Sequence, residues 1–102
     1  MVYNKLVRDR IPSIIRESGR IPVTHTANDT EYRTLLLEKL VEEASEFREN
    51  TSEEEFADVL EVHAAVKKCL GFNESELERV GTRKRQERGG FDQRIILEEV
   101  AG

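Results

Sequence analysis

Four acidic side chains, Glu43, Glu46, Glu55 and Asp58, fall into two pairs, each with the i, i+3 spacing that sets both members on one side of a helix. The first pair lies in Glu-Glu-Ala-Ser-Glu at 42–46, the second in Glu-Phe-Ala-Asp at 55–58, and the two pairs are equally far from Asn50 and Thr51. A helical hairpin turning there brings the four carboxylates together at matching heights. Carboxylates so placed are hard oxygen ligands. Mg²⁺ accepts such ligands in near-octahedral geometry and keeps waters that phosphate oxygens can replace, and Mn²⁺ fits the same set. Cys69, His25 and His63 show no zinc-ligand spacing, and no Walker loop, nucleophile elbow or dinucleotide fingerprint is present.

The elements that must position these acids can be read from period and caps. On a helical wheel at about 100° per residue, Tyr32, Leu35, Leu36, Leu40, Ala44 and Phe47 define the apolar side of a helix of about 30–49. Glu43 and Glu46 fall on that side, while Glu38, Ser45 and Glu49 form the polar back. In the following helix of about 52–70, Phe56, Val59, Leu60, Val62, His63, Ala65, Val66, Cys69 and Leu70 are the apolar side, with Glu55 and Asp58 among them. On this reading His63 is an interior histidine and Cys69 a small buried hydrophobe. A carboxylate on a buried face costs several kcal/mol unless paired or neutralised. No Lys or Arg of the two helices is expected to do this, since Lys39, the nearest, sits one turn away. The second helix is apolar over more than half its circumference, which calls for burial on two sides, part of it by a second subunit.

Asn28-Asp29-Thr30 supplies caps for the first of these helices, and Thr51 with Glu54 is preferred over Ser52 with Glu55 as the capping box of the second. Gly71 marks the stop. Pro12 and Gly19 bracket a short helix of about 12–18, preceded at 3–10 by either a turn of helix or an ordered arm and followed by an extended connector at 21–26. Asn73 with Glu76 opens a last helix of about 74–88 that ends at Gly89-Gly90, and Arg94-Ile95-Ile96-Leu97 is read as a short strand in the tail. The expectation is an all-α fold: a helical hairpin forming a four-helix-bundle core, completed by dimerisation, with short extended terminal segments.

A chain of 102 residues forms one domain, 1–102, with a thin core. Its 36% charged content suits surface-rich helices, and the lone Cys69 suits a reducing, cytoplasmic compartment. No export signal or membrane span is read, so the three Asn-x-Ser/Thr sequences at Asn28, Asn50 and Asn73 are assigned to chance and helix-cap chemistry. The net charge of −5 conceals segregation. Residues 1–20 carry five bases against two acids, 29–61 twelve acids against three bases, and 79–94 six bases against two acids. An acidic middle with basic ends suits a metal–polyanion ligand, whereas a nucleic-acid partner fits poorly because the acidic middle repels it. For any one of these charges taken singly, a solvated helix face is the blander account.

Glu42-Glu43-x-x-Glu46 followed by Glu55-x-x-Asp58 resembles the metal-binding signature of the MazG-like all-α nucleotide pyrophosphohydrolases. Tyr3-Asn4-Lys5-Leu6-Val7-Arg8-Asp9 and Lys84-x-x-x-Arg88-Gly89-Gly90-Phe91 resemble the flanking motifs of a short branch of that superfamily, often labelled phosphoribosyl-ATP pyrophosphohydrolase-like. The resemblance implies an all-α fold whose central helices pair into a four-helix core through dimerisation. It also implies Mg²⁺-dependent cleavage of a nucleoside triphosphate to monophosphate and pyrophosphate. Glu43, Glu46, Glu55 and Asp58 match its metal-ligand positions, and Glu42 a further acidic position. The spacer between Glu46 and Glu55 is shorter than in longer members.

Such chemistry needs cations on the phosphates, an activated water and positive charge on the leaving group. The acidic cluster is expected to supply the first two, with Glu42 or Glu46 orienting or deprotonating the water. Lys5 and Arg8 on one side, and Lys84 and Arg88 on the other, are expected to bind phosphate. A phosphoribosyl-ATP-specific enzyme and a non-catalytic helical dimer with a stabilising cation are the alternatives.

Overall fold

The computed structural model describes residues 4–102, so Tyr3 of the first flanking motif lies outside the described residues. The regular secondary structure of the described residues is all helical, with four helices and no strand: α1 (Ile11–Glu17), α2 (Asp29–Glu49), α3 (Glu53–Leu70) and α4 (Glu74–Arg88). It divides into two compact units, one ending at Leu70 and the other spanning Gly71–Gly102.

In the first unit, residues 4–10 form an irregular arm rather than a helical turn, and Pro12 opens α1. Gly19, at φ +86°, lets the chain leave α1 in the left-handed region. The connector that follows is extended, with Ile21 and Val23 open to solvent. Its end is tied to α2 by His25 Nε2, 2.9 Å from Glu31 Oε1. Asn28 caps α2, its side-chain oxygen accepting from the Glu31 amide at 2.9 Å. All three sequon asparagines sit at helix ends: Asn28 and Asn73 cap N-termini, and the Asn50 amide closes the last turn of α2 on the Glu46 carbonyl.

Residues 50–52 reverse the chain, and α3 packs back along α2. Ser52, not Thr51, caps α3, its hydroxyl accepting from the Glu55 amide at 3.2 Å. The choice between the two boxes therefore goes against the expectation, but it consumes only the Glu55 backbone and leaves the Oε2 atom of its carboxylate unpartnered. Phe47 and Phe56 meet beside the turn with ring centroids 5.0 Å apart at 51°, a favourable tilted pair. Leu36 and Val62 are the buried apolar residues among those described. Tyr32, Leu35, Leu40, Phe47, Val59 and Val66 are half-buried. Ala44 and His63 are exposed, contrary to their places on the wheel, because a two-helix contact covers a narrower stripe than the apolar arcs offer. Cys69 is half-buried rather than enclosed.

In the second unit, Asn73 caps α4 through the Glu76 amide at 3.1 Å. Glu76 does not close the capping box; its carboxylate turns to Arg79, 2.8 Å away. Gly89, at φ +81°, ends the helix. The expected strand at 94–97 is absent. Arg94 takes a left-handed φ of +57°, which breaks the extended run, and no neighbouring edge offers a hydrogen-bond ladder. No helix among the described residues is long and apolar enough to cross a membrane.

Candidate metal centre

Glu42, Glu43 and Glu46 occupy one and a third turns of α2, and Glu55 and Asp58 the first turns of α3. The hairpin brings these acids into two overlapping triads. One oxygen each from Glu42, Glu43 and Glu46 lie within 4.8 Å of one another, and so do oxygens of Glu43, Glu55 and Asp58. Glu43 belongs to both. Cis ligands of an octahedral Mg²⁺ are roughly 3 Å apart and trans ligands roughly 4 Å, given Mg–O bonds of about 2.0–2.1 Å. Rotamer adjustments of about an ångström would therefore close either triad on an ion.

Burial divides the cluster. Glu43 is 7% exposed, the one charged residue enclosed among those described. Its Oε2 and the Oε2 of Glu55 are shut off from solvent with no hydrogen-bond partner. An orphaned carboxylate oxygen in a folded interior is costly, and both orphans belong to the second triad. Asp58 and Glu42 are half-buried. Glu46 is exposed, a correction to its place on the apolar arc, since it lies at the edge of the helix contact. The Glu43 charge, its hydrogen bond and a small desolvation, with the charges of Glu42 and Glu55 behind them, raise the Glu46 carboxyl above its ordinary value of 4.5. These residues thus fit a cation on two separate grounds: hard oxygen donors at closable distances, and buried, unpartnered oxygens on two residues of the second triad.

Three basic side chains face the acids. Lys39 Nζ lies 3.2 Å from Glu43 Oε1 and 3.5 Å from Glu42 Oε1, so a base of the hairpin does reach the cluster, contrary to expectation. The signal was present in the spacing: 39 to 42 and 39 to 43 are the i, i+3 and i, i+4 steps at which helical side chains meet. Burial pulls the Lys39 ammonium down, but its hydrogen bond to Glu43 and the charges of Glu42 and Glu43 outweigh this, and the net shift is upward from 10.5. Arg8 and Lys5 come from the arm. Arg8 Nη2 is 2.8 Å from Asp58 Oδ1, with Nη1 3.9 Å from Glu61, and Lys5 Nζ is 3.4 Å from Glu42 Oε1. Glu61, exposed on α3, is not among the site residues expected from the sequence. Five carboxylates against three cations leave a formal charge of −2 at neutral pH. Lys84 and Arg88 lie exposed on α4, in the second unit.

Over 44 residues the chain is 57% identical to an uncharacterised protein of Mycolicibacterium smegmatis. The match covers 43% of this chain and 45% of that relative's length. No family model matches the chain, and no solved structure matches it.

Proposed function

We propose that the chain is a MazG-like nucleotide pyrophosphohydrolase that releases a nucleoside monophosphate and pyrophosphate. The observation that carries this reading is the pair of orphaned oxygens, Glu43 Oε2 and Glu55 Oε2, inside a cluster with surplus negative charge. Glu43, Glu46, Glu55 and Asp58 would hold Mg²⁺ or Mn²⁺, which when bound neutralises phosphate oxygens and acidifies water. Glu46 is exposed, carries a raised pKa and is suited to accept a proton from the attacking water; Glu42, held by Lys5 and Lys39, is the second candidate. Lys5 and Arg8 stand beside the acids, and we assign them to phosphate binding. Lys84 and Arg88 receive the same role on motif and charge alone.

We further propose that a second copy completes a four-helix core. The two buried apolar residues of the hairpin are a thin core, and Phe56, Leu60 and Val41 are 46%, 50% and 67% exposed on it.

The test is pyrophosphate release over a panel of ordinary, deoxy and damaged nucleoside triphosphates and phosphoribosyl-ATP, with Mg²⁺ or Mn²⁺. Glu43→Ala and Asp58→Ala are each expected to lower turnover at least about a hundredfold, the scale of losing an essential electrostatic group. Turnover retained in either variant overturns the assignment. One observation favours a second reading, a non-catalytic helical module. Lys39, Lys5 and Arg8 already offset much of the acidic charge, as in a structural ion-pair network. Heat stabilisation by Mg²⁺ with no turnover of any nucleotide would select it.

A further inference from the structure

The arm at 4–10 does something that a solvated segment need not do: it delivers two cations to opposite helices of the hairpin. Lys5 reaches Glu42 on α2, while Arg8 reaches Asp58 and Glu61 on α3, across 37 and 50 residues of chain for the hydrogen-bonded pairs. Side chains elsewhere in the unit contribute little to holding the arm, since every residue of 4–10 except Leu6 is exposed. Its attachment is therefore largely electrostatic, and its partners are residues that the cation reading needs. Asp58 cannot serve both masters equally. Whichever Asp58 oxygen an ion in the second triad takes, it shares that carboxylate with the guanidinium 2.8 Å from Oδ1, and the two cations repel each other.

We propose that the arm is a strap operated by the cation: Arg8 and Lys5 close it over the carboxylates in the metal-free chain, and a divalent ion bound by Glu43, Glu55 and Asp58 releases it. This rests on the metal reading above. Two charges of the ion halve the attraction that Arg8 and Lys5 feel, because the five carboxylates and Lys39 present a formal −4 to the arm in the metal-free chain and −2 once the ion is bound. The freed guanidinium and ammonium are then available to an anionic ligand. Phosphate-binding groups are thereby withheld until the metal is in place, which gives an order to loading: cation first, polyanion second. The same competition means that Arg8 weakens cation binding in the resting state.

The experiment uses the full chain and Mn²⁺ or Mg²⁺ alone. Calorimetric titration measures the affinity of the unaltered protein and of Arg8→Gln, and limited trypsin digestion follows cleavage after Lys5, Arg8 and Arg10 with and without the ion. When cleavage is slower than reclosing, its rate reports the population of the released arm. The expected results are about two- to fivefold tighter cation binding in Arg8→Gln, the scale of an exposed ion pair, and faster cleavage of the arm of the unaltered protein on adding metal. Cleavage after Arg33 and Arg48, inside α2, is expected not to accelerate. Metal binding with an arm equally or better protected overturns the strap while leaving the metal reading standing, even if Arg8→Gln binds tighter through its lost charge. No cation binding in either protein removes the metal reading and the strap with it. The digestion needs no variant, so a folding defect in Arg8→Gln does not shelter the proposal.

Discussion

The α2–α3 hairpin and the segment Gly71–Gly102 use similar charged residues in different ways. In the hairpin unit, ion pairs cross large sequence distances, Lys5 to Glu42 and Arg8 to Asp58, and one carboxylate is enclosed. In the second unit, Glu76 pairs locally with Arg79 on one helix face, and Val80 alone of its residues is as much as half-buried. The hairpin holds charge against solvation because two helices shield it. α4 holds its shape through caps and neighbouring turns. A carboxylate acquires unusual chemistry only where tertiary packing withholds water from it.

The comparison is broken most forcefully at the core. Leu36→Ala should destabilise the chain by about 2–5 kcal/mol, the range for a buried leucine, whereas Leu77→Ala on α4 should cost less than about 1 kcal/mol because that side chain is 39% exposed. Urea unfolding followed by circular dichroism measures both, and equal losses would show α4 to be as well packed as the hairpin.

Local order in α4 is tested next. Asn73→Ala should remove about 1 kcal/mol through loss of the cap on the Glu76 amide. The loss should appear as amide exchange in the first turn of α4, with the hairpin amides unchanged.

A carboxylate that serves a ligand should burden the fold in its absence. Glu55→Gln removes a negative charge from beside Glu43 and Asp58, and its amide can donate to them. The metal-free protein should gain about 0.5–1 kcal/mol, seen as a higher melting temperature, while added Mg²⁺ loses its stabilising effect. A lower melting temperature would mean that the orphaned oxygen is structural.

The smallest expected effect is on pH. The neighbouring Glu43 charge, first among the causes, raises the Glu46 pKa, so Glu46 takes up a proton above pH 4.5 as the solution is acidified. That proton must leave before a cation can use the oxygen, so cation affinity should fall as pH drops through the raised value. In Glu46→Gln the fall should be shallower; an identical slope would place Glu46 outside the site.

Much of the fold was legible in local chemistry. Asn28, Asn73 and Gly89 announced helix ends because caps and left-handed glycines act within a few residues. The strand at 94–97 was misread because strand pairing depends on an edge that composition cannot reveal. Ser52 and Thr51 offered equivalent hydroxyls, and only the path of the turn chose between them.

What the residues alone determined is which acids share a helix face and that they lie level across a turn, since helical period and hairpin symmetry are properties of spacing. Tertiary structure decided which of them water reaches: Glu43 enclosed, Glu46 exposed, Asp58 held by an arginine fifty residues upstream. Burial and long-range charge pairing depend on what packs against a face, and that is set by distant parts of the chain folding onto it.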